Sequence, residues 1–254
     1  MQEFKYSHNS CVPVHNIKQF MAFSHLILLL FLFLGADGTV FTLKNNCGRT
    51  IWPGILTSYQ APSLMNGGLE LKRGQSKNIT APDNWSGRIW ARDGCRFNKD
   101  GIGKCLIGDC GGNLRCQGEM AKAPVSVIEF ILSSDADSYD VSLVDGYNME
   151  LSVVPLGGSG NCTKVSCKVD LAEKCPKAMQ VKFKGRVVAC LTPCMVFKNP
   201  FVCCTGQFSN PQKCQTSSYT EVFQSSCPLA YNFAFDDATK TFTCSGADYL
   251  ITFC

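Results

Sequence analysis

The 254-residue chain has a net charge of +4, from 24 Lys and Arg against 20 Asp and Glu, with no long basic run, which excludes a nucleic-acid-binding balance. Seventeen cysteines argue against a reducing compartment and for an oxidising one. All three histidines (His8, His15 and His25) precede residue 39, so a product starting there has no Ser-His or Cys-His couple and no His-ligated zinc.

In chain order, the first feature is the segment MAFSHLILLLFLFLGADG from Met21. Its apolar core from Leu26 to Leu34, followed by small Ala36 and Gly38, reads as a signal peptide over 21–38, cleaved after Gly38. It falls far short of the roughly 20 apolar residues that a bilayer crossing needs. Residues 1–20 read as a dispensable extension, and Cys11 leaves with them. Sixteen cysteines remain, enough for eight disulfides. Lys5 and Lys18 go with Glu3 and Asp37, so the net charge is unchanged. The expected product is a soluble monomer that binds no nucleic acid, metal or cofactor. No C-x-x-C pair occurs, which argues against zinc-ribbon and thioredoxin-like sites.

From residue 39 the pattern is β throughout. VFTLKN (40–45) puts Phe41 and Leu43 on one face. GRIWAR (87–92) puts Arg88, Trp90 and Arg92 on one face and Ile89 and Ala91 on the other. VSVIEFIL (125–132) and SYDVSLVDGYN (138–148) follow, the second ending in an Asp-Gly turn signal, and FTCSGADYLITFC closes the chain. Short strands with regular turns predict a mainly β fold, a flattened sandwich or barrel. Its core would come from about 39–92, 124–168 and 228–254. Two cysteine-rich stretches, a small loop at 93–123 and a larger region at 169–227, cannot bury a core alone and read as disulfide-held loops. A short helix is predicted within YTEVFQSSC (219–227), with Val222 and Phe223 facing inward. N-glycosylation sequons stand at Asn78 and Asn84, and a third at Asn161 has a cysteine in its middle position.

Across 39–254 the residues resemble the thaumatin-like family of plant defence proteins. The stretches that carry the resemblance are GIGKCLIGDCGGNLRC from Gly101 to Cys116, NNCGRTIWPGIL, GRIWARDGC, YDVSLVDGYN, CPLAYNFAFDDATKTFTC and SGADYLITFC, together with the sixteen-cysteine pattern. Ile107 stands where the family has Thr. The resemblance implies the pairing that counting cannot supply: Cys47–Cys254, Cys95–Cys105, Cys110–Cys116, Cys162–Cys244, Cys167–Cys227, Cys175–Cys190, Cys194–Cys203 and Cys204–Cys214.

It also implies an acidic cleft of one Arg, one Glu and three Asp, matched here by Arg88, Glu129, Asp140, Asp145 and Asp236. Read singly, Arg88 and Glu129 are a strand ion pair, and Asp145 and Asp236 are turn acids. Asp140 and Asp145 are five apart, so they share a cleft only if Asp145 lies beyond the strand end. Clustered carboxylates suit glycoside hydrolysis, in which one protonates the leaving oxygen and the other attacks or activates water. The resemblance assigns Glu129 as proton donor and Asp140 or Asp145 as its partner. Arg88 and Asp236 are read as binding substrate, and Tyr147 and Tyr231 as sugar-stacking walls or, as single aromatics in a β protein, as core or rim residues. Asp93, Glu150 and Leu229 depart from common family patterns, the first two adding acid near the expected site. The implied function is antifungal defence outside the cell, in the apoplast. The implied partner is β-1,3-glucan or another fungal wall polysaccharide, bound with or without weak endo-β-1,3-glucanase turnover. The alternatives are a protein that perturbs fungal membrane components and an inhibitor of microbial hydrolases.

Overall fold

The computed structural model describes residues 38–254 apart from Tyr59 and Val169. The extension, the signal segment, Cys11 and the histidines lie outside the described residues. The described residues form thirteen strands: β1 (Thr39–Asn45), β2 (Trp52–Thr57), β3 (Ser76–Ala81), β4 (Ser86–Arg92), β5 (Arg96–Phe97), β6 (Gly103–Lys104), β7 (Val127–Ile131), β8 (Asp137–Ser142), β9 (Leu151–Ser159), β10 (Val165–Cys167), β11 (Gln180–Phe183), β12 (Arg186–Cys190) and β13 (Phe242–Phe253). Nine of them form one sheet in the order β10-β9-β13-β8-β7-β4-β2, with β1 also on β13 and β3 on β1. The mainly β fold expected from the turn-punctuated pattern is the one observed.

The sheet curls because β13 belongs to two layers. Its first residues, Phe242 to Cys244, pair with β8, while Phe41 to Asn45 and the strand β9 pair with the remainder. One layer is therefore β2–β4–β7–β8 and the other is built on β1, β13 and β9. Alternate residues of both layers meet between them: Phe41, Ile89, Ile128, Phe130, Tyr139, Val141, Tyr249 and Ile251 are all buried. The rings interlock, with centroids 4.7 Å apart for Phe41–Phe130, 4.9 Å for Phe130–Tyr249 and 5.2 Å for Tyr139–Tyr249. Tyr249 and Tyr139 keep their hydroxyls satisfied by donating to Asp137 Oδ2 and the Thr163 carbonyl.

The outer face of β2–β4–β7–β8 is covered at one end by the small loop. Trp90 lies there among Cys110, Cys116, Val125 and Val127 and donates to the Gly108 carbonyl at 2.9 Å. Trp90 can lie down because Gly54 is opposite it on β2, where a Cβ would stand 2.4 Å from the indole ring. Arg92 is fully buried at the end of β4 and donates to the carbonyls of Trp52, Pro53, Asn113 and Leu114. The guanidinium thus ties the loop to the sheet, and burial lowers its pKa to about 10 even though the Asp109 carboxylate opposes that shift.

The helices lie in the larger cysteine-rich region: α1 (Leu171–Lys174), α2 (Pro193–Phe197), α3 (Pro200–Cys203) and α4 (Ser218–Ser226). α4 is the helix expected from the sequence. Ser217 caps it in a reciprocal pair with Thr220, and Phe223 is buried with Val222 beside it. All eight disulfides form with the implied pairing, and the Cys47–Cys254 bridge joins residues 207 apart. Among the described residues, no helix is long and apolar enough to cross a membrane.

Candidate functional site

The strand register determines the centre of the site. Arg88 on β4 is directly opposite Glu129 on β7, and Glu129 is directly opposite Asp140 on β8. Their neighbours Ile89, Ile128 and Val141 point into the core, so these three polar side chains share the outer face as a single row across three strands. Cross-strand partners hold their Cβ atoms about 4.5–5.5 Å apart, which brings the carboxyl groups of Glu129 and Asp140 close together. Arg88 Nε meets Glu129 Oε1 at 2.5 Å, with both side chains partly exposed.

The row forms the floor of an open cleft. On one side lies a cavity of about 490 Å³, lined by Val127, Ser142, Val144, Asp145, Tyr231 and Phe233 as well as the row itself. On the other side a cavity of about 340 Å³ is lined by Ser58, Ser86, Ile131 and Ser138. Arg88, Glu129, Asp140 and Thr241 belong to both.

Asp145 reaches the cleft because β8 ends at Ser142. The chain turns there, Gly146 N donating to the Leu143 carbonyl at 2.9 Å, which breaks the alternation that would have sent Asp145 inward. The turn requires its glycine: Gly146 has φ +95°, and a Cβ would stand 2.6 Å from Pro124. Tyr231 arrives from another segment. Its N–H donates to the Val141 carbonyl, and its carbonyl accepts from Leu143 N, so it runs beside the end of β8. Its hydroxyl pairs with Thr241 Oγ1 at 2.8 Å, and its ring forms a wall of the cleft. Phe233, two residues on, joins the same wall. Phe233 and Thr241 are missing from the sequence reading, although the Tyr-x-Phe spacing in AYNFAF was the available signal.

Two expected residues do not reach the cleft. Tyr147 is 2% exposed in the core, bridged to Cys190, and cannot stack on a sugar. Asp236 has a side chain only 4% exposed. It accepts from Lys240 Nζ at 2.6 Å, from Asn232 N at 2.9 Å and from Asp237 N at 2.8 Å, so it closes its own turn as a structural acid. Asp93 and Glu150 are not near the cleft either. They line a separate cavity of about 660 Å³ with Arg49 and Arg186, and Asp93 is paired to Arg49 at 2.6 Å. The sequons at Asn78 and Asn84 are exposed, on β3 and in the turn before β4.

The electrostatics of the row single out Asp140. Its Oδ1 is closed off from solvent and has no hydrogen-bond donor. Burial, followed by repulsion from Glu129, pushes its carboxyl up to about 7, against a smaller pull from Arg88. The carboxyl best able to hold a proton is therefore Asp140, beside a Glu129 that already has a cation.

A family model described as the thaumatin family matches residues 45–254. The chain is 49% identical over 228 residues to a pathogenesis-related thaumatin-like protein 3.5 of Cryptomeria japonica, covering 90% of this chain and 95% of the relative. It is 47% identical over 234 residues to pathogenesis-related protein 5 of Arabidopsis thaliana, covering 91% and 97%. Among solved structures, it shares its fold with a family 64 laminaripentaose-producing β-1,3-glucanase of Paenibacillus barengoltzii, at TM-score 0.56 and 11% identity over 85% of this chain and 75% of that one. A laminaripentaose-producing β-1,3-glucanase in complex with laminaritetraose gives TM-score 0.55 at 12% identity over 85% and 98%. On the extent of the family match and of these identities, the chain belongs to the thaumatin family.

Proposed function

We propose that the protein is secreted and acts in plant defence by binding β-1,3-glucan of fungal walls in the cleft over Arg88, Glu129 and Asp140. The observation that carries this reading is the row itself: three polar side chains on one rung of adjacent strands, flooring a cleft that is open on both sides. An extended chain of sugars fits such a track better than a single small molecule does. Tyr231 and Phe233 supply apolar faces for sugar rings on one side, and Ser58, Ser86 and Ser138 supply hydroxyls on the other. The defence role is supported by relatives named as pathogenesis-related proteins. The sugar class is supported by the shared fold of β-1,3-glucanases, one of them described with laminaritetraose. Secretion is supported by eight disulfides, which an oxidising compartment maintains.

The row also holds the groups that glycoside cleavage needs. One carboxyl group gives its proton to the glycosidic oxygen as the C–O bond breaks, and a carboxylate attacks the sugar carbon or draws a proton from the attacking water. The deciding experiment measures reducing-sugar release from linear β-1,3-glucan and co-sedimentation with insoluble glucan, for the parent and for Glu129→Gln. Release by the parent alone makes the protein a carboxylate glycosidase. Sedimentation without release makes the cleft a recognition surface. Neither binding nor release removes the glucan reading.

A further inference from the structure

We propose that Asp140 meets the ligand as a protonated acid, donating a hydrogen bond to an ether or hydroxyl oxygen of a neutral sugar chain, while Glu129 beside it is the fixed carboxylate. This rests on the glucan reading of the cleft, and it reverses the roles that the resemblance gave to these two residues.

The acids differ in what balances each of them. Glu129 is held by Arg88. Asp236 is held by Lys240 outside the cleft. Asp140 has neither kind of partner. The groups around it are Glu129 from β7, Arg88 beyond Glu129 on β4, Ser138 and Ser142 on its own strand, Asp145 in the following turn, and Tyr231 and Thr241 from the segment closing the cleft. Among the described residues Arg88 is the only cation lining either half, and Glu129 stands between it and Asp140 in register.

A carboxylate at Asp140 would leave charge on an oxygen that is closed to water and has no donor. A carboxylic acid keeps that oxygen as a neutral carbonyl and puts the hydrogen on Oδ2, the other oxygen of a residue that lines both halves of the cleft. With the proton on Asp140 and Arg88 on Glu129, the floor of the cleft is electrically neutral and Asp145 is the remaining charge. Such a floor offers a donor to an oxygen-rich neutral chain and offers little to a cationic partner. Because the row lies beneath both halves of the cleft, that donor sits under the middle of a bound chain.

The test is the affinity of the intact, oxidised protein for a soluble linear β-1,3-gluco-oligosaccharide, measured by calorimetry from pH 5 to 9. For the parent, affinity should be level at low pH and then fall with a limiting slope of about tenfold per pH unit as Asp140 loses its proton. Asp140→Asn keeps a neutral donor in the same shape. It should bind within about threefold of the parent at pH 5 and show no fall up to pH 9. Glu129→Gln removes the repelling charge and should move the parent's fall at least one unit lower. A parent profile flat across the range overturns the proposal, as does an Asp140→Asn variant that folds but loses more than about thirtyfold at pH 5. If no form binds at any pH, the glucan reading fails separately, and the ¹³C carboxyl resonance of Asp140 in the unliganded protein still decides. A midpoint near 7 that drops in Glu129→Gln supports the protonated acid, and a midpoint below about 5 overturns it.

Discussion

At Asp140, packing and ionisation oppose each other, because the fold closes off one carboxyl oxygen without giving it a donor. Folding raises this group from its ordinary value of 3.8 to about 7, so between those pH values the folded protein holds a proton that the unfolded chain has released. The advantage of the protonated form is fully present below about pH 4 and is lost as pH rises to about 7. A shift of this size corresponds to about 4 kcal/mol in a closed site, and solvent screening in an open cleft reduces it to about 2 kcal/mol. Asp140→Asn is therefore expected to be about 2 kcal/mol more stable than the parent at pH 8, with the gain vanishing below about pH 4. Denaturant unfolding with disulfides intact at the two pH values checks this, and an equal gain at both would mean that packing rather than charge is responsible.

At the scale of elements, Arg92 joins the small disulfide loop to β2 and β4 through four backbone carbonyls. Arg92→Leu keeps much of the volume but leaves those carbonyls without their donor, and should cost about 3 kcal/mol. Protease nicking within 93–123 should then appear before global unfolding. A variant as stable as the parent would show that the Cys95–Cys105 and Cys110–Cys116 bridges hold the loop unaided. Arg92 also marks where sequence reading stops. The alternation in VFTLKN put Phe41 and Leu43 on one face, which is the buried one, and the Asp-Gly signal put Asp145 past the end of β8, because both are local patterns. GRIWAR grouped Arg88 with Arg92, yet one lines the cleft and the other is buried, because partners 21 to 40 residues away decide which. Tyr147 and Asp93 were misplaced for the same reason, claimed by Cys190 and Arg49 from distant parts of the chain. Asp236 is instead taken by Lys240 four residues on, as the turn acid that it reads as singly.

At the scale of the whole molecule, β1 and β13 run parallel side by side, and Cys47–Cys254 links them where they end. The chain-entropy model values a loop of this length at about 5 kcal/mol. Replacing both cysteines by serine should lower stability by that order while leaving the other seven bridges and the strand register in place, as read by calorimetry with the remaining disulfides mapped. A much smaller loss would mean that the other bridges already restrain the unfolded chain. The same bond alters how the protein carries load. Pulled by its first strand and its last residue, the molecule transmits force straight through one sulfur–sulfur link. The 207-residue separation bridged by that link, about 700 Å of contour if drawn out, stays slack while the bond lasts. Anchored to a wall polymer and tugged through β1 and Cys254, the protein would behave as a short inextensible link, and it would begin to lengthen only after chemical reduction.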